Sequence, residues 1–309
     1  MSYSNRIKKA FENAPVLMLN SGTGYVFVSD CHRGVGNLND NFLKNKNCYI
    51  AALQYYYRQG FTYIEVGDGD ELWENRDLER IVELNMDVFR QLSLFQRSNR
   101  LYLLYGNHDM IKKNKCYSFD NCSRYSCSSF QMGKNIQNGS PFYEGVIIKS
   151  ETPSITFNIT HGHQADTLNS VYWRLSRFLV RHLWSTLEFR GIPDPTSAAK
   201  NNKKRNKVEK HLLHFARDNN CLLIAGHTHK PTLGNHDSPY YNCGSCVHPH
   251  SITCIELRGF TISLVEWHLS AEQTTLNTAN SYFRSSNTCS PVFPLYVKRE
   301  VLATENLLS

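Results

Sequence analysis

Five short runs of apolar, β-branched and aromatic residues each break off at a cluster of Asp, His or Asn. YVFVS (Tyr25 to Ser29) precedes Asp30, TYIEV (Thr62 to Val66) precedes Gly67-Asp68, and LYLLY (Leu101 to Tyr105) precedes Gly106-Asn107-His108-Asp109. SITFNIT precedes His161, and CLLIA (Cys221 to Ala225) precedes Gly226-His227-Thr228-His229. Runs of this kind read as strands, and the segments of helical period between them, about Asn41 to Arg58 and the stretch after Trp73, read as helices. The alternation predicts one layered α/β domain (α+β in its later part) rather than repeats or separate modules. In sheets with helical crossovers, the loops beyond the strand ends converge into a site. The later runs ITCIEL and TISLVEW alternate as antiparallel strands do, which predicts a second sheet packed on the first.

With 309 residues and 41% hydrophobic content, the chain can bury a sizeable core. Lys and Arg number 34 against 27 Asp and Glu, and the resulting +7 favours anionic partners: phosphorylated metabolites, nucleic acid or acidic lipid surfaces. The first twenty residues hold no signal-peptide core and no later stretch is long enough to span a bilayer, so the expectation is a cytoplasmic protein whose only membrane contact is peripheral, at the inner face. The ten Cys form no framework and read as reduced thiols. Cys243 and Cys246 are a lone CxxC, and Cys116, Cys122 and Cys127 lie in a polar stretch from about Lys112 to Gly139 that reads as an irregular surface excursion. Neither group supplies the four ligands of a structural zinc site.

Carboxylate, imidazole and amide oxygen together make a mixed ligand set suited to Mn, Fe or Zn and too rich in nitrogen for a calcium cage. Asp30 and His32 are two apart on extended chain, so both side chains project to one side and can reach one ion; His227 and His229 repeat the spacing. Gly67, Gly106, Gly162 and Gly226 fit sharp turns where the backbone passes close to a crowded centre. Each motif alone is commonplace: a lone Asp-x-His is mostly a chance loop pair and a lone Gly-Asp a turn. The order and the placement at strand ends make the combination specific.

That order resembles the calcineurin-like metallophosphoesterase superfamily, whose pattern is DxH, GD, GNHD, a later His followed by Gly, and GHxH, over about residues 25 to 268. The resemblance implies a two-sheet sandwich flanked by helices, with two divalent metal ions, Mn first and Fe or Zn as alternatives, between the strand ends. It implies that Asp30, His32, Asp68 and His229 surround one ion and that Asp68, Asn107, His161 and His227 hold the other, with Asp68 bridging. His108 is the candidate acid or charge stabiliser, and Asp109 is expected to orient its ring. The implied activity is hydrolysis of a phosphate ester or diphosphate bond by in-line displacement.

Within the superfamily, Gly67, Asp68, Glu71 and Trp73 match the GDxxExW form of the UDP-2,3-diacylglucosamine pyrophosphatases, and a helical insertion follows the His161 motif as it does in those enzymes. The whole chain, 1–309, reads as one domain with that insertion as a lid at 166–219. In VYWRLSRFLVRHLWSTLEF, the residues Tyr172, Leu175, Leu179, Leu183 and Leu187 share a helical face beside a stripe of Arg174, Arg177 and Arg181, the candidate substrate contacts. The turn GIPDP then leads to a second helix carrying Lys200, Lys203, Lys204, Arg205 and Lys207. A wide apolar face beside cations suits an amphiphilic phosphate ester or diphosphate, and it equally suits docking of the insertion on the sandwich. The competing activity is a nucleotide or nucleic-acid phosphodiesterase; nucleic acid would call for a long basic groove with stacking aromatics, and the cations between 200 and 210 equally fit a solvated helix face, so nucleic acid is not expected as an obligate partner. A non-catalytic scaffold of the same fold should have lost ligands or His108, and this chain keeps them.

Overall fold

Along the strand Gly24–Val28 (β2), Tyr25 and Phe27 join one core and Val26 and Val28 another, as the two-residue period of a strand with both faces covered requires. The computed structural model describes residues 1–114, 141–184, 197–271 and 295–308. Chain order gives β1 (Val16–Met18), β2, β3 (Thr62–Val66), β4 (Leu101–Leu104), β5 (Phe142–Tyr143), β6 (Gly145–Ser150), β7 (Ile155–Thr160), β8 (Leu222–Ala225), β9 (Tyr240–Asn242), β10 (Ser251–Arg258), β11 (Thr261–Ala271) and β12 (Leu295–Asn306).

Two mixed sheets form. One runs β12-β11-β10-β2-β3-β4-β5, and the other β1-β6-β7-β8-β9. Their facing sides share a core of Phe27, Ile64, Val66 and Ile255 from the first sheet with Val146, Phe157, Ile159 and Ile224 from the second. Each of these large apolar side chains contributes on the order of 1.5–3 kcal/mol by leaving water. The outer face of the larger sheet is covered by α2 (Lys46–Arg58) and by α4 (Met86–Arg97), which follows the short α3 (Leu78–Leu84). The outer face of the smaller sheet is covered by α1 (Tyr3–Lys9) and by Val208, Leu212 and Phe215 of the long helix Asn202–Asp218. The architecture is thus the expected sandwich of two sheets between helices.

Three details differ from the sequence reading. β10 and β11, the ITCIEL and TISLVEW runs, do not make the second sheet; they extend the first, with Ile255 opposite Phe27 on β2. β10 is buried on both faces, which it could not be at the edge of a separate layer. The helix expected from Asn41 begins at Lys46, after a 3₁₀ turn at Phe42–Lys44, because Asn45 leaves the helical path and its amide donates to the carbonyls of Cys246 and His248. The run from Tyr172 is not one helix: helix Thr167–Ser170 and helix Trp173–Leu179 are followed by a π turn at Val180–Trp184. Leu187, the GIPDP turn and the excursion beyond Asn114, with Cys116, Cys122 and Cys127, lie outside the described residues. Among the described residues, no helix is long and apolar enough to cross a membrane.

Candidate metal centre

The loops after β2 and β3 stay hydrogen-bonded beyond their strands, Asp30 N–H to the Gly67 carbonyl at 3.1 Å and His32 N–H to the Asp68 carbonyl at 2.9 Å. That pairing carries Asp30, His32 and Asp68 to one point. Asp30, His32 and His229 converge there, with Asp30 Oδ1 at 3.0 Å from His229 Nε2 and 3.6 Å from His32 Nε2. Asp68, His161 and His227 form a second group beside it. Asp68 Oδ2 is 3.1 Å from His161 Nε2 and 3.9 Å from His32 Nε2, so one carboxylate oxygen stands between the two groups. Asn107 Oδ1 is 3.2 Å from His161 Nε2. All seven expected ligands are brought together.

The donor atoms fit cations. Asp30 Oδ1 is buried and makes no hydrogen bond among the described residues, although two imidazole nitrogens lie within 3.6 Å of it. Atoms placed side by side without bonding one another are arranged as co-ligands are. His161 Nδ1–H donates to the Val66 carbonyl at 2.8 Å, which fixes the tautomer and leaves the Nε2 lone pair available to a cation. Asp30 Oδ2 is held by Ser29 Oγ and by the His227 N–H.

The backbone is strained where it turns into this site. Eight non-glycine residues among those described have positive φ, and five of them, Asp30, His32, Asp68, His227 and His229, are expected ligands. Gly67 takes φ +84°, and a Cβ there would lie 2.7 Å from the His161 ring. The two sheets contribute different chemistry. The ends of β2, β3 and β4 supply the oxygens of Asp30, Asp68 and Asn107, together with His32, and the ends of β7 and β8 supply His161, His227 and His229.

The electrostatics follow from this crowding. Burial alone would push the His161 imidazole down, but Asp68 and Asp30 outweigh it and raise it to about 9. Burial opposes charge at Asp30 too, yet His229 and His161 hold its carboxyl well below the usual range. A pocket that draws protons onto imidazoles has the negative potential that attracts a divalent cation in their place.

His108 lies against the first group. Its Nδ1 is 2.8 Å from Glu71 Oε2, and the same oxygen is 2.8 Å from His32 Nδ1. Glu71 Oε1 accepts from the backbone N–H of Trp73 and of Glu74, so the carboxylate is fixed by its own turn. The Trp73 ring stacks on His108 at 4.1 Å and 20°. The expectation that Asp109 orients His108 is therefore corrected: Asp109 turns inward, accepting from Gly106 N–H and from Lys112 Nζ at 2.7 Å each. Lys112 also binds Asp70, which pairs with the buried Arg33, itself bidentate on Glu65. This fully buried charge network underlies the site floor.

The arginine stripe divides. Arg181 donates to the backbone carbonyls of Trp73 and Leu72 at 2.7 and 3.0 Å and so braces the loop carrying Glu71. Arg174 and Arg177 lie over the Trp173 ring. Sequence reasoning missed the roles of Glu71 and Asp166. Glu71 was visible only as a pattern letter. Asp166 caps helix Thr167–Ser170, meets Lys204 Nζ at 2.8 Å and faces His227 Nε2 at 3.4 Å, contacts that no spacing announces.

No protein-family model and no curated protein matches the chain. Among solved structures it is similar to vacuolar protein sorting 29 from Cryptosporidium parvum, at 13% identity over 91% of this chain and 100% of that one, with a TM-score of 0.36. It is also similar to a cold-active protein-tyrosine phosphatase of a psychrophilic Shewanella species, at 13% identity over 81% of this chain and 78% of that one, with a TM-score of 0.38. At such identity and overlap, neither likeness bears on activity.

Proposed function

We propose that this chain is a two-metal phosphoesterase of the calcineurin-like type that hydrolyses a phosphodiester or diphosphate bond. The observation that carries the reading is Asp68 Oδ2 standing between two groups of converging donor atoms. Asp30, His32, Asp68 and His229 would hold one ion, and Asp68, Asn107, His161 and His227 the other, with Mn the first to try. Two divalent ions held there would supply Lewis acidity to the phosphoryl oxygens and would lower the pKa of the attacking water. His108 donates a proton to the leaving oxygen, Glu71 fixes its ring through Nδ1, and stacked Trp73 keeps water from its face.

The lid expected at 166–219 is narrowed to the first part of the insertion, 166–184, since Val208, Leu212 and Phe215 bury the helix Asn202–Asp218 against the smaller sheet as a fixed layer. Tyr172, Leu175, Phe178 and Leu183 are all exposed, so this apolar surface is not used up in docking the insertion, which favours an amphiphilic substrate. The test is Mn-dependent hydrolysis of bis(4-nitrophenyl) phosphate by wild type and Asp68→Ala. Removing the shared carboxylate leaves two cations short of compensating charge, so the variant should lose both metal and turnover. Two metals per chain in the variant by elemental analysis would contradict the bridging role, and a metal-loaded wild type inert on every phosphate ester would end the reading.

A further inference from the structure

Asp166, at the start of the insertion, sits where three pieces of chain meet. Its Oδ1 accepts from the Leu168 N–H at 3.1 Å and so caps helix Thr167–Ser170. Its Oδ2 accepts from Lys204 Nζ at 2.8 Å and from Asn169 Nδ2 at 2.9 Å, and lies 3.4 Å from His227 Nε2. Asp166 and His227 are each 5% exposed, so little water competes for these contacts. An oxygen that already faces an ammonium is a poor place for a second cation, which makes Asp166 a partner of the ligand rather than a ligand.

The two nitrogens of the His227 ring then have opposite tasks. With Nε2 turned to a carboxylate, the proton belongs on Nε2, and Nδ1 keeps the lone pair for the group it forms with Asp68 and His161. The main chain of His227 is held separately, its N–H donating to Asp30 Oδ2 at 2.9 Å, so the ring alone depends on Asp166. The next residue, Thr228, is tied to the same long helix as Lys204, its Oγ1 donating to Glu209 Oε1 at 3.1 Å. Helix Asn202–Asp218 thus braces two successive residues of the ligand loop, one through Asp166 and one directly.

We infer that Asp166 is a positioning residue for the second expected ion: it holds the His227 ring so that Nδ1 is presented to that ion, and through Lys204 and its own helix cap it makes the base of the insertion part of the ion's support. The inference deepens the phosphoesterase reading and rests on it for the ion.

The experiment is equilibrium dialysis of the full chain against Mn, which needs no substrate. Wild type should bind two ions. Asp166→Ser keeps an oxygen for the helix cap but is too short to face His227, and it should weaken one ion about tenfold while leaving the other within about twofold. Asp166→Asn keeps one acceptor oxygen and should lose less, at the same ion. Single-ion backgrounds identify which ion is affected. In His32→Ala, expected to retain the second ion, Asp166→Ser should still cost about tenfold, and in His161→Ala, expected to retain the first, it should cost nothing. A residue that only caps a helix predicts no loss in Asp166→Ser, and one that only stabilises the fold predicts equal losses in the two backgrounds; either result overturns the inference. Where Asp166→Ser fails to fold, Asp166→Asn is measured in the same backgrounds, and a loss not confined to His32→Ala overturns it as well. Wild type that binds two Mn but hydrolyses no phosphate ester ends the phosphoesterase reading and leaves the positioning role standing, whereas wild type that binds no Mn ends both.

Discussion

Glu71 is a single carboxylate facing two imidazoles with different tasks, His32 among the expected ligands and His108 at the reacting side. Burial would raise its carboxyl, but His108 and His32 hold it well below the usual range, so it stays ionised and accepts from both rings. Glu71→Gln should lower turnover by about 10–100-fold and weaken the ion held by His32 more than the ion held by His161. Equilibrium dialysis with Mn separates the two affinities, and equal losses would mean that Glu71 acts only on the fold. His108→Ala should instead keep both ions while turnover falls by roughly 10²-fold or more, with a smaller loss for good leaving groups. A loss as large for nitrophenyl as for alkyl esters would assign His108 to holding the phosphoryl group. The convergence of the seven expected ligands was legible because residue type, order and position at a strand end suffice to bring them together. The partner of His108 was not: Asp109 is its sequence neighbour, but adjacent side chains diverge, and the carboxylate that reaches its ring comes from the loop after β3.

At the level of elements, the insertion is where periodicity misled. A regular helix from Tyr172 would place Leu179 and Leu183 together, but the π turn from Val180 adds a residue to the winding and rotates the side chains beyond it. Ser176 and Val180 face inward instead, and the exposed apolar residues gather at Tyr172, Leu175 and Phe178, 54, 55 and 58% exposed. Side chains so exposed contribute little to stability, which makes them clean probes of binding. Leu175→Ser with Phe178→Ser should raise KM for a lipid-linked diphosphate by about tenfold or more while sparing bis(4-nitrophenyl) phosphate, since each methylene withdrawn from water is worth about 0.8 kcal/mol. Unchanged lipid kinetics in the folded double variant would remove the amphiphilic substrate and favour a nucleotide phosphodiester. Arg181 belongs to a different task from its stripe neighbours, since its guanidinium is engaged by the carbonyls of Leu72 and Trp73.

For the whole molecule, strand positions could be read from the sequence but sheet membership could not, since ITCIEL pairs with β2 through contacts more than two hundred residues apart in sequence. The layering has a measurable result: ions bound at the seam would join sheets otherwise held by apolar packing. Metal-loaded protein should therefore unfold at a higher temperature than protein stripped with a chelator, by about 4 kcal/mol of stability when free metal is a thousandfold above its dissociation constant. A midpoint indifferent to chelator would deny tight binding at the seam. The division of labour between the layers, mostly oxygens from one edge and imidazoles alone from the other, would also set an order of events once ions bind. Neither sheet alone carries either expected ligand group, so capture of metal there would belong to the last stage of folding. In a refolding experiment, helical and strand signals should recover at rates that ignore Mn, while Mn slows only the unfolding limb, as expected for an interaction absent from the transition state.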